Sequence, residues 1–383
     1  MKKVIPSAAL VFLAILLAWT FNSCSKKSPT PSTNVSTLNA EIKAAQKVLS
    51  ATSEGIFPGQ FPVGSRTTLA AAIAAASAII NQGGTAITQS QENAATATLT
   101  AAVTSYQNSV NPIDPPGTVY VAGTTISGAI LWRNGVVDSL ANNGHANSVF
   151  VSGSNVYVAG SVGQFATLWV NGVADTLANN ADANSVFVSD SNVYVAEGVD
   201  GVATLWKNGV ATTLSSNGYA ISVYVSGSNV YVTGTTGGDS ATLWVNGVAT
   251  YLAGGAVASS VFVSGSNVYV TGYDVNYVAT LWVNGVSTSL SGNPALDAFE
   301  SVFVSGSDVY VAGAANVDAT VWKNGVATTL ANNGNSVANS VFVSGSNVYV
   351  AGASNTNTTL WVNGVGTSLA NNYSVANSVF VTN

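Results

Sequence analysis

From Thr118 to the last residue, apolar positions come in runs of three or four, cut at regular intervals by Gly, Asn and Ser. The stretch from Ser148 to Leu177, SVFVSGSNVYVAGSVGQFATLWVNGVADTL, shows the unit. It holds four runs of strand length and composition: SVFV, VYVAG, the run ending in Leu-Trp, and the run ending at Leu177. Seven tryptophans mark the copies (Trp132, Trp169, Trp206, Trp244, Trp282, Trp322 and Trp361), 37 to 40 residues apart, which is the period of one repeated supersecondary unit. Asn-Gly joins the third run to the fourth in every copy, from Asn134-Gly135 to Asn363-Gly364, and suits the positive φ angles of a two-residue hairpin. The first and second runs are joined by Ser-Gly-Ser-Asn or a near variant such as Ser189-Asp190-Ser191-Asn192. Each copy is therefore an antiparallel four-stranded meander. The link from Ala141 to Asn147, and its counterparts, is long enough to cross to the next sheet.

Sheets of this size and period predict an all-β, seven-bladed β-propeller over 118–383. The ends fit together: the region opens on a second strand, Val119-Tyr120-Val121, and closes on a first strand, Ser378-Val379-Phe380-Val381. If the last strand fills the inner slot beside Val119, the ring seals and neither end leaves an open edge. A linear solenoid would instead end in polar capping repeats. Each tryptophan holds the same place before its Asn-Gly turn, which marks it as packing between blades rather than as a sugar-stacking platform. Burying one aromatic removes about 150–250 Å² from water, at most about 4–6 kcal/mol per blade.

Between 35 and 110 the apolar spacing changes from strand-like to helical, and the composition becomes rich in Ala. Leu38, Ile42, Ala45 and Leu49, then Leu69, Ile73, Ala76 and Ile80, then Leu99, Ala102, Tyr106 and Val110 predict three amphipathic helices. Ser65 is placed to cap the second, and Thr88 with Gln91 to form a capping box on the third. The Glu54–Gly64 loop, with its PGQFP core, and the Ala-rich helix after it resemble the FIVAR-like three-helix modules of large bacterial surface proteins that handle polysaccharides. That resemblance implies a rigid stalk or a weak sugar-binding unit. Residues 111–117, NPIDPPG, read as a short stiff linker.

Lys2 and Lys3 followed by the apolar run from Val4 to Trp19 predict a secretion signal over 1–23. Phe21-Asn22-Ser23-Cys24 resembles the looser lipoboxes of Bacteroidota, which implies cleavage before Cys24 and lipidation of its thiol. Residues 24–34 then form a polar tether that cannot bury a core. One cysteine makes no internal disulfide, so nothing in the fold depends on oxidation.

The copies can be compared with one another inside this one chain. Both tight turns barely vary, whereas the links between strands two and three, and those between blades, vary in length and chemistry. In a meander both variable sets emerge at one end, which becomes the candidate binding face. Tyr273, Asp274 and Tyr277 stand in one such link and Tyr219 in another. The residues leading into the inner strands are Asn147, Asn184, Ile221, Ser259, Glu300, Asn339 and Asn377, a mainly amide collar around the channel mouth. Tyrosines beside amides and acids suit an uncharged polar ligand such as a glycan.

Catalysis has little to rest on. His145 is the one histidine, so it cannot complete a zinc site, and no nucleophile-elbow motif is present. Acids are scattered one per loop without the ladder of a calcium site. No catalytic residue, metal or cofactor is expected. Arg133, Lys207 and Lys323 face twelve acids in 118–383, near −9 overall, which argues against nucleic acid. The repeats resemble uncharacterised propeller repeats of Bacteroidota lipoproteins, of the type VYVAG…LWxNGV…SVFVSGS. The expectation is a lipid-anchored cell-envelope protein, most simply of the outer membrane, that binds a glycan or a protein partner. A polysaccharide lyase or hydrolase, or a purely structural envelope scaffold, is the alternative.

Overall fold

The computed structural model describes residues 35–54, 60–62, 64–81, 87–110, 117–199, 201–237, 240–290, 298–371 and 373–382. The signal segment, Cys24 and the tether lie outside these, as do the linker residues 111–116 and Asp200, Asp239 and Asp297.

Three helices come first along the chain: α1 Ser36–Ser50, α2 Ser65–Ile80 and α3 Gln89–Asn108. Leu38, Ile42, Ala45, Leu69, Ile73, Ala76, Leu99 and Tyr106 close their common core, with Phe61 from the intervening loop stacked on Tyr106 at 4.2 Å. Thr88 and Gln91 make the expected capping box on α3. Ser65 does not cap α2: the N-cap is Gly64, at φ 88°, and Ser65 is the first helical residue, its hydroxyl directed to Glu54 at 3.5 Å. Val110 also departs from expectation. The helix ends two residues earlier, and Val110 is exposed rather than part of the apolar face.

The described residues of the remaining chain form seven four-stranded antiparallel sheets. Blade 1 is Val375–Val381, Val119–Thr125, Gly128–Arg133 and Val136–Ala141, in that order from the inside, so the C-terminal strand does fill the inner slot. Thr118 and Thr382 fasten the seam with main-chain and side-chain bonds of about 3.0 Å. Blade 2 runs through Gly144–Ser152, Asn155–Val162, Phe165–Val170 and Val173–Asn179. The inner strands of blades 3 to 7 are Ala181–Ser189, Gly218–Ser226, Gly255–Ser264, Ala298–Ser305 and Ser336–Ser344. Six of the seven tryptophans are 0–2 % exposed between blades.

At the end of the ring that carries the tight turns, every Asn-Gly pair has Asn at φ 48–52° and Gly at φ 77–84°. Each turn asparagine also reaches sideways. Its Oδ1 accepts the N–H that opens the second strand (Val119, Val156, Val193, Val230, Val268, Val309, Val348) at 2.8–2.9 Å. In blades 2 to 7 its Nδ2 donates at 2.8 Å to the side chain of Asn155, Asn192, Asn229, Asn267, Asp308 or Asn347. One residue type thus supplies the turn and staples it to its neighbour.

The candidate binding mouth of the propeller

Successive residues of the seven inner strands build the channel as stacked rings. Deepest is an annulus of Phe150, Phe187, Tyr224, Phe262, Phe303, Phe342 and Phe380, each ring tilted 45–54° to the next with centroids 4.7–5.0 Å apart, closing back on the first. Such tilted contacts suit aromatic quadrupoles. Tyr224 is the one phenol among them, and burial raises its pKa above the ordinary value. Above the annulus, Ser148, Ser185, Ser222, Ser260, Ser301, Ser340 and Ser378 each accept the N–H of a valine in the following blade at 3.1–3.4 Å. This second closed ring ties every inner strand to the next.

The residue just before each serine is unpaired. In all seven blades the register between first and second strands slips by one at this point, skipping Asn147, Asn184, Ile221, Ser259, Glu300, Asn339 and Asn377 in turn. A β-bulge leaves one residue out of the ladder and re-aims its side chain. Here all seven line one cavity of about 670 Å³, with Val257 and Tyr273 beside them. The bulge explains the Gly of VYVAG. A Cβ on Gly160 would lie 1.9 Å from the carbonyl oxygen of His145, and one on Gly272 1.9 Å from that of Val257.

Blade 3 breaks this rule. Glu197 stands where the other strands carry Gly; it is fully buried, and one carboxylate oxygen takes the Trp206 indole N–H while Oε1 has no partner. Desolvation raises its pKa, partly offset by the indole bond. Trp206 is correspondingly the one repeat tryptophan that is only half-buried.

Six of the predicted site residues, Asn147, Asn184, Tyr273, Glu300, Asn339 and Asn377, meet in the cavity. The four amides are partly committed: their Nδ2 groups donate to the carbonyls of Ala183, Ala220, Ala376 and Ala146, each in the next blade, at 2.9–3.2 Å. Their amides thus bridge blades as well as face the channel. Tyr277 is exposed at φ 60° and stacks on Tyr273 at 5.8 Å. Asp274 holds that loop, its Oδ1 accepting the N–H groups of Asn276 and Val278 at 2.8 Å. Tyr219 is outside the cavity, exposed, with its ring against Gly198 of the preceding blade. His145 is exposed, with Nδ1 3.3 Å from the Thr124 hydroxyl.

Among the described residues Glu300 is the one charged side chain lining the cavity. Its surface reaches the solvent of the channel, yet the surrounding blades desolvate it and raise its pKa above the ordinary carboxylate value. Among the described residues no three His, Cys, Asp or Glu side chains gather as metal ligands, and no helix is long and apolar enough to cross a membrane.

No family model and no curated protein matches this chain. Solved structures that resemble it include a Bacteroides uniformis protein provisionally assigned as a 6-phosphogluconolactonase, 13 % identical, with 70 % of this chain aligned to 100 % of that one at a TM-score of 0.46. The computationally designed Ika8 protein gives 13 % identity, 70 % and 94 % coverage and a TM-score of 0.43. The extracellular domain of a one component system of B. thetaiotaomicron gives 9 %, 61 % and 37 %, and 0.44. Likenesses at these levels carry no functional inference.

Proposed function

We propose that this protein is a lipid-anchored component of the bacterial cell envelope whose propeller mouth binds a glycan, with a protein partner as the second kind of ligand. The observation that carries the reading is the mouth itself: a polar cavity of about 670 Å³ built from seven bulge residues, flanked on one side by the stacked Tyr273 and Tyr277. Pyranose rings present C–H faces to aromatics and hydroxyls to amides and carboxylates, so such a lining offers both contacts. The Bacteroidota lipobox resemblance at Cys24 supports an anchor in the outer membrane, and the three-helix module is the spacer.

Binding of the purified full chain to an array of oligosaccharides tests this. Replacement of Tyr273 by Ala should reduce any glycan signal by about tenfold, a loss of one stacked aromatic face. Retention of all binding in that variant, or absence of any glycan signal, argues against the mouth as a glycan site. Cys24→Ala should release the protein from membranes. An enzymatic reading has one observation in its favour, the raised carboxyl of Glu300, and turnover of any arrayed polysaccharide would establish it.

A further inference from the structure

The collar of bulge residues is not uniform. At four interfaces an asparagine amide bridges to the next blade's carbonyl, and these four interfaces are consecutive around the ring: Asn339 to Ala376, Asn377 to Ala146, Asn147 to Ala183 and Asn184 to Ala220. The other three carry Ile221, Ser259 and Glu300, also consecutive, and none supplies an amide. The equivalent carbonyls of Ala258 and Ala338 therefore lack that donor. Tyr273 and its stacked partner Tyr277 flank the same arc. One half of the mouth is cross-linked, and the other is rich in acceptors.

Charge is distributed in the same sense. All three basic residues of the propeller, Arg133, Lys207 and Lys323, directly precede Asn-Gly turns and so lie at the opposite end of the ring. Lys323 is paired there with Asp308 at 2.7 Å. The Glu300 carboxylate makes no hydrogen bond or ion pair among the described residues. A carboxylate that opens onto the channel with no counter-charge beside it is placed to take a cation that a ligand brings, as a charge-assisted hydrogen bond.

We infer that the Ile221–Ser259–Glu300 arc receives the ammonium group of an amino sugar, with Glu300 as its counter-ion and the Tyr273–Tyr277 pair against the sugar face. This rests on the glycan reading above. A bare lysine side chain would satisfy Glu300 but has no ring to lay on the paired tyrosines, which favours the sugar.

Calorimetric titration of the detergent-solubilised full chain with a glucosamine tetramer, an N-acetylglucosamine tetramer and a lysine tetrapeptide tests the inference. The glucosamine tetramer should bind, with the acetylated one at least about tenfold weaker. Glu300→Gln and Glu300→Asn should each weaken the glucosamine tetramer by about tenfold or more, the loss of one charge-assisted hydrogen bond. Glu300→Asn installs the residue that four of the other six interfaces use, so its folding is safeguarded by the repeat's own design. Equal binding of the two sugars, or unchanged binding in both variants, overturns the inference. So does binding of the lysine peptide with the amino sugar silent. Tyr273-dependent binding of neutral sugars alone overturns the ammonium assignment and leaves the glycan reading standing, whereas silence of every glycan removes both.

Discussion

The two ends of the propeller are built from the same seven meanders and behave as opposites. At the turn end every copy repeats the same Asn-Gly pair, and its side chain is consumed in stapling the adjacent hairpin. At the mouth the bulge releases one side chain per blade from the ladder, and only four of the seven are then taken up by bridges. Where a repeat position has a full set of structural partners its identity is fixed; where partners are missing, chemistry is free to vary. The mouth differs from the turns because the bulge in each blade leaves a side chain with spare valence.

The largest test removes the seam. Truncation before Ser378 takes away the last four residues of the inner strand of blade 1, the Ser378 link to Val149 and the bond from Thr382 to Thr118. Cooperative thermal unfolding should be lost; a truncated chain that melts like the intact one would show that closure contributes little. Next come two glycines that contrast the ends. Gly160→Ala forces a Cβ onto the His145 carbonyl and should cost about 2–3 kcal/mol. Gly153→Ala at the turn end meets nothing within 4 Å, and its φ of 60° alone should cost about 1–2 kcal/mol. Denaturant titration of both would sharpen the difference, and equal losses would erase it.

Asn246→Ala should cost about 1–2 kcal/mol, through lost bonds to Val230 and Asn229 and a left-handed backbone without asparagine. Ser185→Ala, which removes one bond to the Val223 N–H, should cost about 1 kcal/mol. The effect of Glu197→Gln depends on pH. Because the folded-state pKa of this acid is raised, the stability that protonation contributes is fully present below the unfolded value, near 4.5, and is lost as pH rises through the folded one. The variant should therefore melt above the wild type at pH 7, with the gap closing on acidification. An unchanged gap between pH 4 and 7 would show that Glu197 titrates normally.

Blade number, hairpin order and closure were all legible in the sequence, because Asn-Gly and the split first blade are local signals with one geometric solution. The tryptophans were legible for the same reason. The rings of the channel were not. SVFV reads as a strand covered on both faces, and nothing in its pattern says that the Ser hydroxyl oxygen accepts an N–H from the next blade or that Phe closes a heptagon. The bulge did leave a trace, since an isolated Gly inside VYVAG is a sign of a bulge or a close backbone approach. Set beside its copies, Glu197 in VYVAEG marks blade 3 as the exception. Of the candidate site, the collar positions could be found by comparing repeats. That Asp274 is held by its own loop, and that Tyr219 stands apart from the cavity, depends on side-chain directions that spacing does not encode.

The serine and aromatic rings have no beginning, since the last link in each returns to the first. A gene rearranged to start at another blade, with the present seam joined by a short peptide and a new break placed in a Ser-Gly-Ser-Asn turn, would keep every one of these contacts. Such circular permutants should fold to the same ring, and the present termini are then one choice among seven equivalent openings.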